Sequence, residues 1–204
     1  MRNKFGIFCM LIGLVLILGA LFLFVSNDRE QKAAESHVQN LLPVIMEEIE
    51  HVETEPVLQD NTPVELLTAE DVAMTETVIN GHAYIGYLQI PDLGLSLPVM
   101  SDWSNAKLQI SPCRFSGSLR GENMVIMAHN YRSHFGYLAK LTEGSQVIFT
   151  DMDGLTWNYE VVAKDILPAN AVEEMTAGEY DLTLFTCATN RTHRITIRCD
   201  KVES

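Results

Sequence analysis

Basic residues are few. The chain of 204 residues carries 14 Lys and Arg against 27 Asp and Glu, a net charge of −13. Such a balance offers no broad cationic face for a phosphate backbone, which excludes nucleic acid as the main partner. Cysteine is scarce too: four in 204 residues are too few for a disulfide-stapled scaffold. No internal repeat is present, which excludes a solenoid or a propeller. Hydrophobic residues, by contrast, make up 47% of the chain, enough for a packed core, but they are unevenly placed.

Residues 5–25 run FGIFCMLIGLVLILGALFLFV without a charge. As a helix, a run of this length extends about 31 Å at ~1.5 Å per residue, matching a hydrocarbon core of ~30 Å. Arg2 and Lys4 precede it, and residues 27–80 carry 13 acids and two bases. The positive-inside rule then places the N-terminus in the cytoplasm and the remainder outside. A cleaved signal peptide is the rival, but its apolar region is normally ~7–15 residues long and ends at small residues. Phe24-Val25-Ser26-Asn27 is a poor cleavage site, so a retained single-pass anchor over residues 1–26 is expected. Cys9 lies inside this run as a small apolar residue. Cys113, Cys187 and Cys199 remain for the extracytoplasmic part, an odd number that leaves at least one thiol free or paired between chains.

Residues 27–80 read as an acidic stalk. Residues 29–52 have helical composition, with Pro43 expected to break or kink the helix. Residues 53–79, with Pro56, Pro63 and many acids, look extended and solvated. From Gly81 the pattern changes. Strands are expected over 83–90, 95–100, 123–129, 145–150, 156–165, 180–187 and 194–202, with a turn at 91–94. Short helical pieces are expected at 104–109 and 135–141, and a loop over 111–121. Asp151-Met152-Asp153-Gly154 marks a hairpin turn. Strands every ~8–12 residues with few helices indicate a closed or nearly closed β-barrel.

Within residues 81–204, chemistry concentrates at strand ends. His129 closes an apolar strand, Cys187 closes LTLFT, and Arg191, Arg194 and Arg198 follow. A thiol of pKa ~8.5 needs a base or a cation nearby to become a nucleophile. Histidine can serve as that base and then protonate a leaving amine. Arginine keeps its proton and can stabilise a developing oxyanion. The three residue types together suit acyl transfer from an amide. A zinc site formed by His129, His134, His193 and Cys187 is set aside, because the spacings fit no compact zinc pattern. Cys113 and Cys199 could pair, although Cys199 shares an apolar strand with Ile195 and Ile197 and reads as a buried thiol.

The local motif sharpens this reading. Thr183-Leu184-Phe185-Thr186-Cys187 matches the TLxTC signature of the sortases. Val125-Ile126-Met127-Ala128-His129 resembles the family's strand that ends in the catalytic histidine, with Ala128 where most members have Gly. The strand from His193 to Arg198 resembles the one that opens with the catalytic arginine, and 84–91 and 94–100 resemble the first two strands. The resemblance covers residues 81–202 and implies a mainly β fold. That fold is a closed sortase-type β-barrel of about eight strands with short helices, preceded by an N-terminal transmembrane helix.

It also implies roles. Cys187 would be the nucleophile, His129 the acid/base and Arg194 the third catalytic member, with Arg198 on the same strand face as the backup. Thr186 would support the groove beside Cys187. The Cys187–Arg194 gap of seven residues is short for the family. The implied activity is that of a membrane-anchored cysteine transpeptidase, with no cofactor and no metal. It would cut an LPxTG-type sorting signal on surface proteins and pass the acyl group to a peptidoglycan-precursor or pilin amine. No second apolar span follows the barrel, unlike the usual pilin-polymerising arrangement, and the 58-residue His129–Cys187 interval leaves little room for a class B insertion. Classes A, D and E remain. Two alternatives stand beside this: a secreted cysteine peptidase that uses water, and a non-catalytic barrel displayed on a stalk. Since every candidate residue lies after Gly81, residues 1–80 are expected to be dispensable for chemistry.

Overall fold

A hairpin opens the β-region of the chain. Asn80 and Gly81, at φ 52° and 80°, form a tight turn between β1 (Thr77–Ile79) and β2 (His82–Ile90). Both central residues have positive φ, the condition for the turn type that matches strand twist, and an Asn-Gly pair meets it at least strain. The computed structural model describes residues 2–54, 73–121, 123–188 and 192–202. Further along lie β3 (Leu95–Met100), the short helix α2 (Asn105–Leu108), β4 (Cys113–Ser116) and β5 (Met124–Met127). Then come β6 (Gln146–Asp151), β7 (Thr156–Pro168), the short helix α3 (Val172–Thr176), β8 (Leu182–Cys187) and β9 (His193–Lys201).

The strands neighbour one another in the order β1-β2-β3-β4-β5-β8-β9-β7-β6, and β6 pairs back onto β2. Eight strands therefore close into a barrel, with β1 added outside the ring. At the closing seam Gly86 faces Asp151. Its φ is +140°, and a Cβ there would lie 2.0 Å from the Thr150 carbonyl oxygen, so only glycine lets the two strands meet. The barrel interior is filled by alternate residues: Met124 and Ile126 of β5, Leu182 and Leu184 of β8, Ile197 and Cys199 of β9. The intervening residues point outward, and three strands end with them on one outer face.

Several expectations are met within a residue or two. The turn at 91–94 is a short 3-10 helix ended by Gly94 in the left-handed region. Ser104 caps α2, accepting from the Lys107 N–H at 3.1 Å. Asp151 organises the β6–β7 turn by accepting from the Asp153 and Leu155 N–H groups at 3.0 and 2.9 Å. The segment 111–121 is not wholly loop. It contains β4, which pairs antiparallel with β5 and touches β3 through a single parallel pair, Met100 and Cys113. Pro112, Gly117 and the serines around it hide so short a strand.

The largest correction concerns the N-terminal region. α1 runs unbroken over Arg2–Thr54 and contains Pro43. Proline leaves the Gln39 carbonyl without its helical partner, yet Gln39 and Pro43 are exposed, so water can serve it. On the opposite face Leu41 and Ile45 are buried and hold both turns in place. Residues 27–54 are thus no free stalk. Ala34, Val38, Leu41, Ile45 and Ile49, spaced as one helix stripe, are 0–7% exposed. Leu41, Ile45 and Ile49 form a cluster with Tyr84, Met100 and Cys113 of the barrel wall, Leu108 of α2 and Met152 of the β6–β7 turn. Glu35, Glu47, Glu48 and Glu50 face solvent. The extended part expected over 55–72 lies outside the described residues.

Candidate active site

β5 and β8 run parallel with Met127 opposite Phe185, and the Ala128 N–H continues the ladder to the Phe185 carbonyl at 3.2 Å. Two residues beyond each partner stand His129 and Cys187. Side chains alternate, so Met127 and His129 share the outer face with Phe185 and Cys187. β9 returns antiparallel and sets Arg194 directly opposite Cys187. Neighbouring strands lie ~4.8 Å apart. The thiol thus sits on the middle strand, with the imidazole on one side and the guanidinium on the other.

All three line one groove of about 280 Å³. Its walls include Trp103, Leu108, Phe115, Met127, Val172, Met175 and Phe185, so the site is apolar apart from the three chemical groups and Asn105 and Thr186. Trp103 stacks on Phe115 at 5.8 Å, and Phe115 meets Phe185 edge-on at 5.4 Å. His129, Cys187 and Arg194 are each half-buried, hence both positioned and reachable. Thr186 is buried and donates to the Ala128 carbonyl at 2.8 Å, pinning the end of β5 to β8 directly beneath the groove. The Ala188 N–H to His193 carbonyl bond, 2.9 Å, closes the β8–β9 loop beyond it. Arg191 lies outside the described residues.

Arg198 sits elsewhere. It is 3% exposed and pairs with Asp165 at 3.2 Å. It also donates to Thr183 Oγ1 at 3.1 Å, to the Met175 carbonyl at 2.9 Å and to the Glu174 carbonyl. With all these donors engaged, it clamps the end of α3 to the barrel and does not line the groove. A buried guanidinium with four hydrogen bonds cannot reach a substrate carbonyl without breaking that clamp.

Behind His129 stands a feature that the sequence did not signal. The Tyr131 ring lies 4.9 Å from His129 and 5.6 Å from His134. His134 is fully buried, and its two ring nitrogens make no hydrogen bond of good geometry, the Ile110 backbone being the polar group beside the ring. Burial, and after it the charge of His129, push its pKa down to about 4, which the Ile110 backbone only partly opposes. His134 is therefore neutral at ordinary pH, and two imidazolium charges do not compete in this corner. Polar runs such as residues 130–134 read as loop in a sequence, so only the fold reveals that the second histidine turns inward.

The other thiols are packing groups. All four cysteines are free, Cys113 and Cys199 are buried, and burial raises both thiols, Cys113 to about 12. Among the described residues no group of three or more His, Cys, Asp or Glu is gathered as a metal site.

Comparison with known proteins places the chain in a family. The family model of the sortase domain matches residues 88–202, and the chain belongs to the sortase family. Family and fold together mark an enzyme of the cysteine-transpeptidase class. Among solved structures it is similar to sortase C1 from Streptococcus suis, at 28% identity and TM-score 0.54, over 60% of this chain and 75% of that one. It is also similar to Streptococcus pneumoniae sortase C, at 23% identity and TM-score 0.60, over 79% and 97% of the two chains. Sortase A from Corynebacterium diphtheriae matches over 91% and 96%, at 18% identity and TM-score 0.55. A search of the curated proteins found no match.

Proposed function

We propose that the protein cleaves a sorting signal of LPxTG type and transfers the acyl part to an amine. The placement of Arg194 directly opposite Cys187, with both in one groove with His129, is the observation that carries this reading. The Cys187 thiolate attacks the threonine carbonyl. Arg194 stabilises the oxyanion that forms, since a fixed cation there acts mainly on the transition state. As the tetrahedral adduct collapses, the Thr–Gly C–N bond breaks and His129 protonates the leaving amine. The thioester on Cys187 then meets an incoming amine, which loses its proton to His129, and a new amide forms as the thiolate departs. The acceptor is a peptidoglycan-precursor or pilin amine.

One helix among the described residues, within Phe8–His51, is long and apolar enough to cross a membrane. We assign residues 1–26 as a single-pass anchor with its N-terminus cytoplasmic. The helical part of 27–80 is assigned as a brace, and 81–204 as the extracytoplasmic catalytic barrel. The test is mass spectrometry of products from a sorting-peptide panel with defined amines. Amide products and a Cys187-bound acyl group are expected. Hydrolysis alone at saturating amine would point to a peptidase, and no acyl adduct to a non-catalytic barrel.

A further inference from the structure

α1 joins two tasks that separate segments could perform. Its apolar residues 5–25 belong to the same unbroken helix as the stripe Ala34, Val38, Leu41, Ile45 and Ile49 that is buried against the barrel. Between them residues 26–33 read SNDREQKA, with neither glycine nor proline. Asp28 and Lys32 pair across one turn of that stretch at 2.7 Å. From Val25 to Ala34 is nine residues, ~14 Å of helix at ~1.5 Å each. A headgroup layer occupies about 5–8 Å of that length, half the difference between whole bilayer and hydrocarbon core. The first docked residue then stands only about 6–9 Å above the headgroups. The docked stretch itself rises ~22 Å, on the scale of the barrel. A flexible stalk of equal length would let the barrel roam; a docked helix fixes the barrel's position along the helix axis and so limits its height.

We infer that α1 is a ruler: it holds the catalytic groove at one height above the bilayer, matched to substrates tethered to the same membrane. This rests on the proposed anchor and on the proposed transpeptidase reading. A groove held at fixed height meets a tethered peptide at high effective concentration only when the tether spans that height. Its partner is therefore an acyl donor or amine carried on a lipid or a membrane segment, presented close to the headgroups.

The test uses the full chain in phosphatidylglycerol-containing vesicles. A helical heptad, AEAAAKA, is inserted after Glu30, outside the docked stripe, and lifts the barrel by about 10 Å. A second variant replaces residues 27–30 with Gly-Ser-Gly-Ser, keeping the length and losing the stiffness. The readout is the ratio of turnover on a short-tethered lipopeptide to turnover on the same peptide in solution, so that any change in folding cancels. The heptad should lower this ratio by ~10-fold, and lengthening the lipopeptide spacer by the same rise should restore it. The flexible variant should flatten the dependence on spacer length. An unchanged ratio in both variants, with vesicle flotation intact, overturns the ruler and leaves α1 a leash. Parent protein that does not float with vesicles refutes the anchor reading and the ruler with it. Parent protein that floats but leaves the free peptide intact refutes the catalytic reading instead.

Discussion

Two neighbouring patches of the barrel's outer wall carry a thiol each, and the covering over them differs. Cys113 lies beneath α1, fully buried beside Leu41, Ile45 and Ile49 in one cluster, its Sγ donating to the Ser111 carbonyl at 3.4 Å. Burial holds that thiol at about 12. Cys187 lies beneath no long helix. The five-residue α3 covers part of its face and leaves a groove with a histidine and an arginine beside the sulfur. The same side chain is thus packing in one patch and exposed to a groove in the next, and the length of the covering helix separates the two.

The sharpest test of that contrast is at the thiols themselves. Cys187→Ala should remove the acyl adduct in intact-mass spectra and lower transfer by at least ~10⁴-fold. Cys113→Ala should keep wild-type turnover once its loss of stability is allowed for. Equal turnover in the two variants would erase the distinction.

Next in size is the covering helix. A fragment of residues 81–204 uncovers Tyr84, Met100, Leu108 and Cys113, so it should lose on the order of 5 kcal/mol against 27–204 in urea unfolding. Each buried aliphatic side chain contributes ~1.5–3 kcal/mol, against a total stability of ~5–15. The side chains of the site would be present in such a fragment, but the wall would be stripped right beside the groove, which Leu108 and Met127 also line.

The groove face can be divided further by its two arginines. Arg194→Ala should lower kcat by ~10²–10³ with an unchanged melting temperature, and Arg194→Lys should recover only part, lacking the planar fork. Arg198→Ala should instead reduce stability by about 3 kcal/mol, since it leaves Asp165 and two carbonyls without their buried cation. Steady-state kinetics with parallel melting curves separates the two effects.

An effect no larger than the Arg198 one is a pH dependence. His134 is neutral in both folded and unfolded chains above pH 6.5. As pH falls from 6.5 toward 4 the unfolded chain takes a proton that the buried ring refuses, so stability drops by up to about 3 kcal/mol. Urea midpoints at pH 7.5 and 4.5 should show this loss, and His134→Phe should abolish it.

How much of this was legible in the sequence follows from the range of the interactions involved. Strands of alternating pattern, the turn at Gly94 and the hairpin at Asp151 are local, and they fall where the pattern puts them. The TLxTC motif pointed to Cys187, but only the register between β8 and β9 shows that Arg194 faces it and that Arg198 faces Thr183. The helical pieces of α1 over 5–25 and 29–52 are legible in the sequence; its continuity through Pro43 and its docking on the barrel are not, because a proline and a run of acids are local signals. Packing of five apolar residues against the barrel outweighs one missing hydrogen bond, and the acids lie on the opposite face. β4 escapes the sequence pattern because it is only four residues long and is set among Pro112, Gly117 and serines. The β1–β2 hairpin was missed although Asn80-Gly81 announces it.

The single Met100–Cys113 pair between β3 and β4 has a mechanical consequence. It is the narrowest join in the ring, helped by one bond from the Met100 N–H to the Pro112 carbonyl at 2.9 Å. β5 and β8 share four residue pairs, and β8 and β9 share six. Both residues of the narrow join lie in the cluster that Leu41, Ile45 and Ile49 cover. A pull transmitted along the anchor therefore loads this seam first, and the next join in the ring, β4 to β5, leads directly to the strand that runs on to His129.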